Sequence, residues 1–355
     1  MQLRRRLLAA CLDSAPMGRI SGTELAEAIK LGFAPWLAMW LEQGSLVLET
    51  AEQRTLRIAG RAVSLQARAT RDDLGELLVA ANDAGISVCL LKGAALEPWV
   101  YPGPGYRPMG DIDLLVAEHE QGHFEAILRS HDYVQRSEYP PSYFTDHHHS
   151  MPFWHPRYGV CIEVHTRLYP EVANVFREQQ ETFDYDGVVT GRLNAPAQIL
   201  YTVSHWAALF PGRKGLIALL DLGLLLRLYG MPDIQLYQLK PDQRKWLERA
   251  LETACAMLPG KTEAPRAYPE TRLEEARCHL LRALARNYIV DGSTYTRWSS
   301  SAVIANHWDA LMNTTSPAIA LGRVPWWFLF PPHSRHRFHP GFLLQRICRL
   351  WRQDL

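Results

Sequence analysis

LLKGAALEPWVYPGPGYRPMGDIDLLV, residues Leu90 to Val116, is an apolar run that turns at Lys92-Gly93, followed by a second apolar run that carries Asp111 and Asp113. Side chains alternate faces along a strand, so Asp111 and Asp113 point one way while Ile112, Leu114 and Val116 point into a core. Two carboxylates on one face suit a hard divalent cation, which takes oxygen ligands and neutralises phosphate charge. In two-metal phosphoryl chemistry the ions lie roughly 3.5–4 Å apart, a span that paired carboxylates can bracket. A lone Asp-x-Asp equally describes a solvated edge strand, and the preceding turn favours the clamp. Gly93, with Ala94 and Ala95 behind it, lets backbone amides approach a phosphate at the start of a helix expected over 94–100, where Lys92 can reach phosphate oxygens.

A third acidic ligand or base should come from a neighbouring strand. Gly159 to His165, GVCIEVH, alternates with period two, putting Cys161, Glu163 and His165 on one face and Val160, Ile162 and Val164 on the other. Glu163 is therefore the candidate, with an exposed strand face as the ordinary alternative. Arg107, just before the acidic strand, is placed to pair with Asp111 or to meet a triphosphate bidentately. Tyr106 beside it either stacks on a base or packs.

The order of a Lys-Gly turn, a Tyr and an Arg before D-I-D-L-L-V, and then I-E-V-H resembles the nucleotidyltransferase superfamily with the DNA polymerase β type of palm. It is most similar to an uncharacterised bacterial branch, nucleotidyltransferase family 5. The helical piece Leu200 to Trp206, the later Leu219-Leu220-Asp221-Leu222 and the aromatic stretch 326–332 resemble further parts of that branch. The resemblance implies an α+β fold: a small mixed β-sheet palm with a helical N-terminal segment and a helical C-terminal domain. It also implies Asp111, Asp113 and Glu163 as metal ligands and catalytic groups, Mg²⁺ or Mn²⁺ as the cofactor, and an NTP as co-substrate. Lys92, Gly93, Ala94, Arg107, His205 and Asp221 are then the expected nucleotide-binding positions. Ala94 replaces the Ser or Gly usual after the glycine, so no hydroxyl is available there, and the spacing from Gly93 to Asp111 is long.

The 355 residues include 38 basic and 37 acidic side chains, so no bulk charge draws the chain toward nucleic acid. The cysteines, at 11, 89, 161, 255, 278 and 348, form no C-x-x-C pair, which argues against a disulfide framework or structural zinc and for a reducing cytoplasm. The basic then apolar start is interrupted by Asp13 and reads as a first helix. Ser21 or Thr23 is placed to cap the next. Three parts are expected: a helical segment over 1–70, the palm over 71–195, and helices over 196–355. The palm begins with an amphipathic helix over 71–84.

Residues 216–229, LIALLDLGLLLRLY, are apolar nearly all round yet too short to cross a bilayer, so no membrane span is expected. Asp221 in that helix needs a partner, for which His205, Arg213 and Lys214 are candidates. It is either a brace between helices or, with His205, part of a cleft wall facing the palm. His147-His148-His149 suggests a transition metal, but adjacent side chains point in different directions, so contact between one of them and substrate is the simpler expectation. The aromatic and basic stretch 325–346 reads as cover for the helices.

The acceptor is open among a small molecule, peptide, protein or RNA. Three other readings stay open: a nucleotide-binding module without catalysis, a glycosyltransferase using D-x-D to hold a nucleotide sugar, and a toxin-like transferase.

Overall fold

The computed structural model describes residues 3–137, 141, 144, 147–157, 159–209 and 215–260. The chain begins with α1 (Leu3–Asp13), β1 (Gly18–Arg19), α2 (Gly22–Lys30), α3 (Ala34–Glu42), β2 (Leu46–Val47) and α4 (Thr50–Asp83). The palm follows as β3 (Cys89–Leu90), α5 (Lys92–Val100), β4 (Ile112–Leu115), α6 (Gln121–Ser130), β5 (Val134–Gln135), β6 (Phe153–Trp154), β7 (Cys161–His165), β8 (Gln180–Tyr185) and β9 (Val188–Leu193). Then come α7 (Ala195–Leu209), α8 (Gly215–Tyr229) and α9 (Pro241–Cys255).

Local signals account for several of these elements. Ser21 caps α2 by accepting from the Glu24 amide, and Glu24 returns a bond to the Ser21 amide, a reciprocal cap that stabilises a helix start by about 1 kcal/mol. The α8 stretch buries Leu216, Leu219, Leu220, Leu222, Leu225 and Leu226 around Asp221, as its all-round apolar pattern requires. No helix among the described residues is long and apolar enough to cross a membrane.

The fold is α+β. Its seven-stranded mixed sheet runs β5-β6-β7-β4-β3-β9-β8, with β4 parallel to β7, β3 parallel to β9, and β3 antiparallel to β4. Strand alternation sends side chains into two cores. Val88, Leu90, Ile112, Leu114, Ile162 and Val164 join Leu74, Leu77 and Leu78 of α4 and Phe124 and Leu128 of α6. Their neighbours Cys89, Leu91 and Leu115 join the helices, α1 to α3 and α7 to α9, in the other. Asp113 has the parity of Leu115, so its carboxylate points toward the helical half.

The division expected between residues 70 and 71 falls inside α4, an unbroken helix of 34 residues, about 50 Å long. Leu56 of this helix packs in the helical core and Leu74, Leu77 and Leu78 in the sheet core. A helix that leaves one core for another keeps its 3.6-residue pattern, so no composition change marks the crossing. The strand that leads into the Lys92-Gly93 turn is only Cys89–Leu90.

Candidate active site

Sheet register brings the acidic residues together. Asp113 stands opposite Glu163 in the parallel pair β4–β7, with Leu115 opposite His165. β3 ends where the Leu91 amide donates to the Asp113 carbonyl at 3.0 Å, and the chain turns at Lys92 into α5. Lys92 has φ +46°, a left-handed conformation costing a non-glycine residue roughly 1–2 kcal/mol. The turn delivers Lys92 Nζ to Asp113 Oδ1 at 2.7 Å.

Asp113 is 3% exposed. Burial alone would raise its carboxyl, but the Lys92 ammonium and the 2.9 Å bond from His165 Nε2 outweigh it and hold Asp113 well below the ordinary range. Asp113, Glu163 and His165 each offer a ligand atom, all within 4.8 Å of one another. This donor set can hold a divalent cation. Asp111 lies just before β4 and is not one of that compact trio.

Asp111 and Asp113 instead share the wall of a cavity of about 430 Å³, whose other faces are given by Lys92, Gly93 and Arg107 from the palm and by Tyr201, Thr202, His205 and Asp221 from α7 and α8. Its size falls in the range of small-molecule sites. Glu163 is not among its lining residues. Sequence proximity to β4 had suggested Asp111 as the partner of Arg107. The structure pairs Arg107 with Asp221 instead: Nε and Nη2 donate to its two oxygens at 2.9 and 2.8 Å, and the Tyr101 hydroxyl donates to Oδ1 at 2.6 Å. Burial would weaken the Arg107 charge, but the Asp221 carboxylate more than compensates and raises its pKa.

Asp221 is thus an Asp–Arg brace, its partner coming from the palm. Arg213 and Lys214 lie outside the described residues, as does the aromatic stretch 325–346. His205 lines the same cavity, its ring 6.1 Å from that of Tyr201. A Cβ at Gly93 would stand 2.2 Å from Arg107 Nη1 and 2.8 Å from Met109 Cγ, so the glycine first of all admits this guanidinium.

The long spacing between Gly93 and Asp111 is a pinned loop. Glu97, 1% exposed, accepts from the Gly105 amide at 2.7 Å, where Gly105 needs its φ of +85°. Burial pushes the Glu97 carboxyl up, with that bond acting against it. Trp36 Nε1 donates to the Tyr106 carbonyl at 2.8 Å, and the Tyr106 ring meets Trp36 edge to face at 5.2 Å. Tyr106 therefore packs, and it is not among the cavity-lining residues. Neither Glu97 nor Tyr101 stood out in the sequence, although Glu97 in an otherwise apolar helix was a readable signal.

The histidine triplet differs from expectation. His147, His148 and His149 lie with ring centroids 4.2 to 4.8 Å apart, and those of His148 and His149 are each 5.3 Å from His165. The triplet is bend and bridge rather than regular helix or strand, which frees adjacent side chains to converge. Burial, reinforced by neighbouring imidazoles, lowers His148 to about 2 and His149 to about 4, although the Ser150 carbonyl acts to raise His149.

A family model described as uncharacterised nucleotidyltransferase matches residues 25–258. Among solved structures, the chain is similar to the solution structure of antibiotic-resistance factor ANT(2'')-Ia, with 13% identity, a TM-score of 0.36, and coverage of 54% of this chain and 95% of that one. No curated protein matches the chain.

Proposed function

Since the chain belongs to this uncharacterised nucleotidyltransferase family, we propose that it moves an NMP from an NTP to a hydroxyl acceptor, with release of pyrophosphate and dependence on a divalent cation. The observation that carries the reading is the cavity wall. Asp111 and Asp113 meet the Lys92-Gly93 turn on one side of a space of about 430 Å³, with His205 and Thr202 on the other.

Asp111, Asp113 and Glu163 are the residues that would hold the cation. When bound, such an ion neutralises phosphate charge and polarises the α-phosphorus toward attack. Lys92, kept against Asp113 by a strained turn, offers its ammonium to phosphate oxygens, and the amides after Gly93 add the positive end of α5. Ala94 contributes its amide only. Arg107 and Asp221 satisfy each other, so they act on the nucleotide by fixing Gly93 and the wall behind it. His205 faces the base or the acceptor. Glu163, partly exposed with its side chain at 21%, takes the acceptor proton as the hydroxyl attacks.

The test is calorimetric binding of each of the four NTPs, with and without Mg²⁺, to the wild type and to Asp111→Asn/Asp113→Asn. Metal-dependent binding of one NTP that vanishes in the folded variant is the expected result. Equal binding by both proteins, or no binding by either, would overturn the assignment and turn the search to nucleotide sugars.

A further inference from the structure

The centre around Asp113 is not built of oxygen alone. His149 Nδ1 lies 2.7 Å from the Ser150 carbonyl. A carbonyl only accepts, so Nδ1 carries the proton and Nε2 is the nitrogen left to face outward. A carbonyl holding one ring nitrogen is the arrangement that orients a metal-binding imidazole. That Nε2 is 3.7 Å from Glu163 Oε2, and His165 Nε2 is 3.8 Å from the same oxygen and 2.9 Å from Asp113 Oδ1.

Separations of 3.7–3.8 Å are too long for hydrogen bonds. They lie within about half an ångström of the ~3.3 Å edge that tetrahedral ligands make at bonds of 2.0–2.1 Å. The His149–His165 bridge brings the two rings together, and the β4–β7 register brings the two carboxylates together. His165 is fully buried with its Nε2 on Asp113, so a cation that takes this nitrogen displaces the proton held between them.

We propose that His149 and His165 join Asp113 and Glu163 around one divalent cation, so that this centre prefers a nitrogen-accepting transition ion of the Mn²⁺, Co²⁺ or Zn²⁺ class to Mg²⁺. The inference rests on the transferase reading for the presence of a cation; it adds the cation's class and puts two imidazoles where that reading put Asp111. Imidazole favours transition ions, whereas a carboxylate and water environment suits Mg²⁺. Loss of a partner that merely orients a ligand lowers metal affinity about 10–100-fold, so removing His149 should lower it at least tenfold.

The experiment uses the full chain, stripped with chelator, with Mg²⁺, Mn²⁺ and Zn²⁺ titrated separately into wild type, His149→Ala and His149→Asn. Circular dichroism checks the fold, and the polar Asn variant covers the case in which Ala does not fold. Pulsed paramagnetic resonance of the Mn²⁺ complex reads ¹⁴N coupling from bound imidazole. The proposal expects Mn²⁺ and Zn²⁺ to bind at least tenfold tighter than Mg²⁺. It further expects affinity to fall at least tenfold in a folded His149 variant, and one nitrogen coupling to disappear with it. Equal affinity for Mg²⁺, absence of nitrogen coupling, or binding indifferent to His149 would overturn it. If Mg²⁺-dependent NTP binding still vanishes in Asp111→Asn/Asp113→Asn, only this inference falls; if no cation and no NTP binds, the transferase reading falls with it.

Discussion

Asp221→Ala tests the joint between the palm and the helical half. The carboxylate receives two bonds from Arg107, at 2.9 and 2.8 Å, and one from the Tyr101 hydroxyl at 2.6 Å. The Arg107 and Asp221 side chains are only 13% and 3% exposed. Removing one member of such a pair leaves a buried uncompensated charge, which costs about 3–5 kcal/mol. At roughly 2–4 °C per kcal/mol for a domain of this size, the melting temperature should fall by roughly 6–20 °C. Tyr101→Phe removes only one hydrogen bond to a charged group and should cost about 1.5–3 kcal/mol. The double variant Arg107→Met/Asp221→Leu should be more stable than Asp221→Ala, because no charge is then left buried. Differential scanning fluorimetry of the full chain, with urea titration for free energies, measures all three. A loss below about 1 kcal/mol in Asp221→Ala, or a double variant less stable than the single, would refute the reasoning.

Gly93→Ala would put a Cβ 2.2 Å from Arg107 Nη1. It should therefore destabilise by about 1–3 kcal/mol and weaken NTP binding by moving the guanidinium, and unchanged melting and binding would contradict this. Acidification should destabilise the packing of the histidine triplet. His148 and His149 are lowered to about 2 and about 4, against an ordinary 6.5, so below pH 6.5 the unfolded chain binds the more protons. Stability at His149 is then full above pH 6.5 and is lost progressively as pH falls toward 4. Imidazole resonances followed by NMR should show neither ring titrating near 6.5, and His148→Gln/His149→Gln should lose less stability between pH 7 and 5 than the wild type. Titration of both rings near 6.5 would sink that expectation.

What the sequence disclosed was short in range. The alternation of GVCIEVH put Glu163 and His165 on one face, and β7 keeps it, because a strand's period is carried by successive residues. The all-round apolar helix at 216–229 appeared as α8 for the same reason. Its Asp221 was rightly suspected of needing a partner, but that partner lies 114 residues away, and nothing in the local pattern of Arg107 distinguishes Asp221 from Asp111. The convergence of His147, His148 and His149 was likewise hidden. Adjacent side chains diverge on a strand or helix, while the chain there is a bend beside a bridge to His165. Regular elements were readable, and irregular backbone and long-range pairs were not.

Parity of the strands also bears on how stability and activity are linked. Because Asp113 faces the same way as Leu115, toward the core built from α1 to α3 and α7 to α9, its low exposure depends on the helical half standing over it. Arg107 and Asp221 join the two halves at the wall where Asp111 and Asp113 lie. A variant that loosens this joint should therefore admit water to Asp113, weaken its pairing with Lys92 and His165 as the local dielectric rises, and lose nucleotide affinity before it loses the sheet. Asp221→Ala should release NTP at temperatures where circular dichroism still reports a folded chain. The coupling fails if binding and secondary structure disappear together.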